Sequence, residues 1–384
     1  MNTLMSWSGE MLVARLRELV ELETPVGSAA HLVVGAEVLA EWGAGVLGRV
    51  PEWVVVDGLP HLVWPAVEQR VLLLGHFDTV WPAGTLGEWP FEVAGAVATG
   101  PGVVDMKSGI VVMMAAMALV ADTSRVGLLL TCDEESGSVG SRALIEREAR
   151  RSGAVLVGEP ANPDGALKVA RKGGSAYRLT VHGRAAHAGV EPHLGVNASV
   201  EAAHQVLAVK AFADEGAQTT VTPTALTSGT TSNTVPETAT LAIDVRAWST
   251  AELARVDGLI RALSARVEGA SLSLDGGFSR HPLSVESSRG LFEVARGAAA
   301  ELGMVLPAGA WAPGASDANF AAAVGAPTLD GLGGVGGGSH SRGEYVDVGQ
   351  LAPRARLVAR MVERLTGEPF GRSSGAEAGL ISTL

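Results

Sequence analysis

Apolar and polar residues follow two periods along this chain, and the change from one to the other marks its elements. Residues 9–22 carry Met11, Leu12, Leu16, Leu19 and Val20 at helical spacing, and Thr24 and Pro25 end that pattern. A second helical pattern covers about 30–42, followed by a weak strand at 53–56. Residues 71–75 form a short apolar run without helical period, the mark of a buried strand. Residues 81–100, rich in Trp, Pro and Gly, read as loop. Helix 110–121, strand 126–131, helix 141–150 and strand 154–157 follow. That succession predicts an α/β domain with a mostly parallel sheet and flanking helices.

The pattern changes at about residue 172. Residues 175–182 alternate like a half-exposed strand, 198–211 form a helix capped by Asn197, 219–231 are β-rich and 238–248 alternate again. A helix at 251–267 and a strand at 270–274 complete the order β-α-β-β-α-β, that of a ferredoxin-like α+β sandwich. The expected organisation is therefore one domain from 1–170 and 281–384, with residues 171–280 inserted as a second. Beyond residue 282 come a helix at 289–302, a loop and helix at 314–324, a strand at 326–330 and a last helix at 350–365. The tail, 367–384, has no clear period.

The chemistry lies where the apolar strands stop. The run at 71–75 ends in His76, Phe77 and Asp78, and residues two apart on an extended chain point to the same side. A histidine beside a carboxylate suits a metal ligand and the group that fixes its tautomer; a turn residue and a helix cap are the plainer alternative. Strand 126–131 ends in Cys132, Asp133, Glu134 and Glu135, and strand 154–157 in Gly158, Glu159 and Pro160. Consecutive buried acids are costly without a cation against them. Asp105 stands where a loop enters a helix, as a cap or a ligand. Three strands ending alike point to one site at the carboxyl edge of a sheet.

Composition narrows the function. A length of 384 residues suits about two domains, and a formal net charge of −12 argues against nucleic acid, whose phosphates require a basic face. The single cysteine, Cys132, excludes an intrachain disulfide. The N-terminus mixes charges into its apolar pattern, unlike a signal peptide, and the longest apolar run, 110–121, is too short for a bilayer. A cytoplasmic protein without membrane partners is expected. Gly331, Gly333 and Gly336 match a dinucleotide fingerprint literally, but no helix follows at once and no acid stands about 20 residues on. There is no P-loop and no HExxH. Cys132 reads as a small buried side chain. His340 follows the glycine run, where backbones approach closely, and could complete the site.

The segments GHFDTV, GPGVVDMKSG, TCDEESGS, GEP, RAAHAGVEPHLGVNA and GGGSHSRGEYVD occur in that order along nearly the whole chain. Together they resemble the zinc metallopeptidase and amidohydrolase family of bacterial glutamate carboxypeptidase, acetylornithine deacetylase, succinyl-diaminopimelate desuccinylase and the aminoacylases. GHFDTVWPAGTL and the PFEV after it bring the glutamate carboxypeptidase branch nearest. The resemblance implies a zinc-exopeptidase-like catalytic domain and an inserted lid or dimerisation domain. It implies His76 and Glu159 as ligands of one metal, Glu135 and His340 as ligands of the other, and Asp105 as the bridge, with the peptide after it often cis. Asp78 would orient His76, Glu134 would be the general base, and His187 would polarise the scissile carbonyl. Arg246, Asn233 and Lys168 match positions that hold substrate carboxylates or carbonyls.

Two histidines and three carboxylates suit a pair of divalent ions, zinc first, with cobalt or manganese as alternatives. The expected activity is hydrolysis of an amide bond to a C-terminal amino acid in a small peptide. Deacylation of an N-acyl amino acid, and a catalytically silent relative that binds without turnover, stay beside it. A dinuclear phosphoesterase would need a more basic pocket. A homodimer through the inserted domain and a monomer both stay open.

Overall fold

The computed structural model describes Trp7 and residues 9–367, and it divides into two compact units. The first comprises Met1–Ala170, Ser284–Trp311 and Ser316–Leu384; the second comprises Arg171–Leu283 with Ala312–Ala315. Most of the tail without a period, 368–384, lies outside the described residues, as do 1–6 and 8 of the N-terminal segment.

The first unit is built on a six-stranded sheet in the order Glu52–Val56, Leu59–Trp64, Val126–Thr131, Val71–His76, Ala154–Val157, Thr328–Leu329. The last four strands are parallel, as expected. Val71–His76, Val126–Thr131 and Ala154–Val157 are buried throughout, so they read as continuous apolar runs rather than alternating ones. The chain places Val126–Thr131 on one side of Val71–His76 and Ala154–Val157 on the other. Such a reversal of strand order opens a crevice at the carboxyl ends. His76 pairs with Thr131 and Leu74 with Val157, so the three apolar runs end level with one another.

Several elements depart from the sequence expectation. The weak strand at 53–56 is one arm of a hairpin with Leu59–Trp64, turned by Asp57 and Gly58 at positive φ. The second arm pairs antiparallel with Val126–Thr131; its period is obscured because five of its six residues are buried. Residues 81–100 are not all loop: Glu92–Ala94 and Val97–Thr99 form a hairpin. It continues through Tyr345–Asp347 to Gly336–Gly337 as a small antiparallel sheet. The expected strand at 326–330 is only Thr328–Leu329.

Helix Ser108–Leu119 is apolar all round because it is a core helix, packed between Ala29–Leu47 and Leu351–Gly367. The run at 110–121 is not the chain's longest apolar helix. Ala29–Leu47 is long and apolar enough to cross a membrane by length and composition, which Glu37 and Glu41 hide from a simple scan for uncharged runs. In the fold it lays Leu32, Ala36, Leu39 and Trp42 against the core, and Gly43 lets the Trp64 ring approach.

The second unit is a four-stranded antiparallel sheet in the order Thr220–Ser228, Thr238–Ala247, Gly173–His182, Ser271–Arg280. Helices Ala198–Lys210 and Thr250–Arg261 pack on it, and its core holds Leu179, Val209, Leu241, Ile243, Val245, Leu253 and Val256. Asn197 caps the first helix through the N–H groups of Ser199 and Val200. The second helix stops at Arg261 rather than 267, and the last strand extends to Arg280 rather than 274. Gly276 and Gly277, at positive φ, carry that strand past the end of its alternation.

Candidate metal centre

His76 ends the central strand of the first unit and is almost fully buried. Its Nδ1 lies 3.1 Å from the Asp78 carbonyl oxygen and 3.4 Å from Asp78 Oδ1. Both are acceptors, so the imidazole proton sits on Nδ1 and the Nε2 lone pair is left for the site. Nε2 stands 3.4 Å from Asp105 Oδ1 and 3.5 Å from Glu159 Oε1, yet it is buried without a hydrogen-bond partner. The other oxygen of Asp105, Oδ2, lies 3.6 Å from His340 Nε2, which is 3.1 Å from Glu135 Oε2. Glu135 Oε1 is also buried without a partner. Among the described residues, His76, Asp105 and Glu159 form one group that could hold a metal ion, and Asp105, Glu135 and His340 another. The two groups share Asp105, one oxygen to each side.

The backbone explains the convergence. Asp105 does not cap the following helix; it is extended at φ −110° and ψ 97°, and the Asp105–Met106 peptide is cis. A Cβ on Gly109 would stand 1.8 Å from the Gly158 carbonyl oxygen, and one on Gly333 2.2 Å from the same atom. Three glycines thus let the Asp105 segment, the strand leading to Glu159 and the run leading to His340 touch backbone to backbone. That close approach is the work of the glycine run that mimics a dinucleotide fingerprint.

Asp78 is fully buried, and its carboxylate accepts the N–H groups of Glu134 at 3.3 Å and Glu135 at 3.0 Å. The Asp78 side chain thus lies against the His76 ring and holds the turn that carries two acids, while its main-chain carbonyl makes the nearer contact to Nδ1. The three consecutive acids have separate environments. Asp133 turns inward and accepts from the N–H groups of Gly140 and Ser141 and from Ser141 Oγ, tying the approach to helix Arg142–Arg150. Glu134 and Glu135 are half-buried on the turn Glu134–Ser136.

The electrostatics favour positive charge between these acids. Burial disfavours a charged His76, but the carboxylates of Asp105, Asp78 and Glu159 outweigh it and push the imidazole well above its ordinary 6.5. Glu135 pushes His340 up to about 9. Burial raises Glu135 above the usual carboxylate range. Left to themselves, the acids draw protons onto both imidazoles, and a divalent ion would supply that positive charge instead. The donor set of imidazole and carboxylate and the two orphaned buried atoms fit such ions.

The remaining expected residues stand elsewhere. In the second unit, His187 and Asn233 are brought together by a short ribbon in which His187 pairs with Thr234 and the Ala188 N–H donates to the Asn233 carbonyl at 2.9 Å. His187 Nδ1 accepts the N–H groups of Gly189 and Val190 at 3.2 and 3.1 Å, so its neutral ring carries the proton on Nε2. Arg246 is chelated by Asp244, two residues earlier on the same strand face, through Nε and Nη2. Lys168, in the first unit, is half-buried at the start of Lys168–Arg171, with its N–H bonded to the Asp330 carbonyl. Burial raises the Cys132 thiol well above its ordinary range, in keeping with an inert core residue.

Sequence reasoning gave no role to two buried ionisable residues close to Asp105 in the fold, Lys107 and Glu344. Burial lowers Lys107 to about 7, against the pull of Glu344 and Glu23, and raises Glu344 to about 7. The only sequence signal for Glu344 was an acid four residues after His340, in a segment where every polar residue looks like loop.

Residues 72–364 match the model of peptidase family M20/M25/M40, a span that runs from the central strand into the last helix. The chain belongs to that family. It is 31% identical to carboxypeptidase G2 of Pseudomonas sp. strain RS-16, over 91% of this chain and 88% of that one. It is 32% identical to succinyl-diaminopimelate desuccinylase of Paracoccus denitrificans, over 92% of this chain and 97% of that one. The fold matches that of the M20 family metallo-carboxypeptidase Sso-CP2 from Sulfolobus solfataricus, with a TM-score of 0.71 at 16% identity over 92% of this chain and 99% of that one. As an M20 family member the protein is a metal-dependent hydrolase, of the metallopeptidase and amidohydrolase kind.

Proposed function

We propose that this M20 hydrolase is dinuclear and cleaves the amide bond to a C-terminal amino acid in a small peptide. The observation that carries the reading is Asp105, whose two oxygens face His76 at 3.4 Å and His340 at 3.6 Å between two buried unpartnered atoms. His76, Asp105 and Glu159 would hold one divalent ion and Asp105, Glu135 and His340 the other. Zinc is the first choice, with cobalt or manganese as alternatives, and the pair supplies Lewis acidity toward water and the scissile carbonyl.

The chain's own groups do the rest. Glu134, next to a ligand in sequence, takes the proton of the attacking water and delivers it to the leaving amine. His187 offers a fixed Nε2–H to the carbonyl oxygen as negative charge develops on it. Arg246, Asn233 and Lys168 receive the carboxylate and carbonyls of the substrate. The likeness to carboxypeptidase G2 supports the peptidase reading, and the likeness to a desuccinylase supports deacylation of N-acyl amino acids as the second. The reading includes a cytoplasmic location and a lid or dimerisation role for residues 171–280; a monomer at all concentrations in sedimentation equilibrium would remove the dimer.

The test is hydrolysis by metal-reconstituted protein of glutamate-terminated peptides, folate analogues and N-acyl amino acids, beside Glu134→Ala. Turnover of the peptides, reduced at least about 100-fold in the variant with metal retained, supports the reading. Turnover of N-acyl amino acids alone moves it to the deacylase. Full activity of Glu134→Ala sinks the mechanism.

A further inference from the structure

Glu344 is fully buried and lies four residues beyond His340. Its Oε1 accepts the N–H groups of Val104 at 2.9 Å and Asp105 at 3.0 Å. Its Oε2 accepts the N–H of Gly102 at 3.1 Å and the indole N–H of Trp81 at 3.0 Å. An ionised carboxylate has about four acceptor positions, and here each meets a neutral donor. Nothing is left over for a cation or a substrate, so Glu344 is neither a ligand nor a base.

What these four bonds join is specific. Trp81 lies on the segment that leaves His76 and Asp78. Gly102, Val104 and Asp105 belong to the turn that leads into the shared carboxylate, left-handed at Gly102 and leaving helical geometry at Asp105. Glu344 itself is held by the small sheet, where Tyr345 pairs with Thr99 and Gly337, and Val346 with Ala98 and Gly336, on either side of the His340 turn. Asp78 ties His76 to the turn of Glu134 and Glu135. Glu344 ties the His76, Asp105 and His340 segments together. Asp105 departs from helical φ/ψ inside the turn Val103–Lys107, so regular helical geometry does not by itself fix its carboxylate.

We propose that Glu344 is a positioning residue whose carboxylate clamps the backbone at 102–105 and so sets the shared Asp105 against His76 and His340. The proposal rests on the dinuclear reading. Gln at this position keeps the size but offers one acceptor atom and one donor. It can satisfy Val104 and Asp105 only by turning its amide N–H₂ against the donors of Gly102 and Trp81. Outer-shell changes of this kind cost about 10–100-fold in metal affinity.

The experiment uses the full chain as wild type, Glu344→Gln and Trp81→Phe. It measures cation stoichiometry and affinity by competition with a chromophoric chelator, and the visible absorption spectrum of the cobalt(II) forms. The expected result is two cations in the wild type, about 10–100-fold weaker binding of at least one in Glu344→Gln, a changed cobalt spectrum, and a smaller loss in the same direction in Trp81→Phe. Unchanged affinities and spectrum in Glu344→Gln overturn the clamp and leave the dinuclear reading standing. If that variant does not fold, Trp81→Phe decides: unchanged affinity there overturns the clamp, and weakened affinity supports it. A wild type that binds no cation removes the dinuclear reading, and the clamp with it.

Discussion

At the scale of single residues, the candidate centre is organised by carboxylates that do different work under one chemical name. Asp105 faces two imidazoles, Asp133 accepts hydrogen bonds inside the fold, and Asp78 does both kinds of task at once. The Asp78 carboxylate accepts the N–H groups of Glu134 and Glu135 and lies 3.4 Å from His76 Nδ1, so all its contacts call for acceptor atoms. Asp78→Asn puts a donor against one of those donors. We expect cation affinity to fall about 10–100-fold. Thermal unfolding should show a loss of about 1–3 kcal/mol for the buried bond left unmade. Equal affinity in titrations of wild type and variant would show that His76 does not depend on the Asp78 carboxylate for its orientation.

At the scale of elements, the centre depends on how closely three segments approach. The start of helix Ser108–Leu119 sits on the end of strand Ala154–Val157 with no room for a side chain at Gly109, where a Cβ would lie 1.8 Å from the Gly158 carbonyl oxygen. That contact is with backbone, so no side chain can move aside. Gly109→Ala must shift the helix, at a cost of about 1–3 kcal/mol or more. It should also weaken cation binding, because Asp105 and Glu159 leave the two elements that are forced apart. Chemical denaturation with parallel cation titration checks both; a stable variant with intact binding would mean that the segments have slack. By contrast, Gly303 at a helix end has open space for a Cβ, and only its positive φ argues for glycine.

At the scale of the whole molecule, the centre couples folding to cation binding. Acids brought within reach of one another repel unless a cation or protons compensate, and the raised His76 and His340 show which groups feel it. Binding to the folded state alone stabilises it by about 2.7 kcal/mol at a free concentration of 100 times Kd. The unfolding temperature should therefore rise with added zinc or cobalt and fall with a chelator. Asp105→Ala should remove most of that response, since it takes a ligand from both groups. A melting temperature indifferent to metal and chelator would contradict this.

Much of this was legible in the sequence, for reasons that can be given residue by residue. The strands 71–75, 126–131 and 154–157 are uninterrupted apolar runs because both their faces are buried, and such runs are visible in one dimension. Their endings in His76, Glu134, Glu135 and Glu159 were visible for the same reason, because polar residues that follow a core strand directly stand out. Leu59–Trp64 was missed because burial of both faces combined with Pro60 and His61 leaves neither period. The small sheet on either side of the His340 turn was missed because its strands are two or three residues long and its two hairpins meet across more than two hundred positions. Periodicity needs length, and those strands have none.

The sequence by itself determined the order of the core strands and main helices, the parallel core and the identity of the chemical groups, since these follow from local pattern and from which residue types the chain carries. The tertiary structure decided which groups meet. It alone gave Asp105 one oxygen for each histidine, turned Asp133 away from its neighbours Glu134 and Glu135, and buried Glu344 under four donors drawn from two distant segments. Those outcomes depend on separations of a few ångströms between residues far apart in the chain, and pairings at that range leave no periodic trace in one dimension.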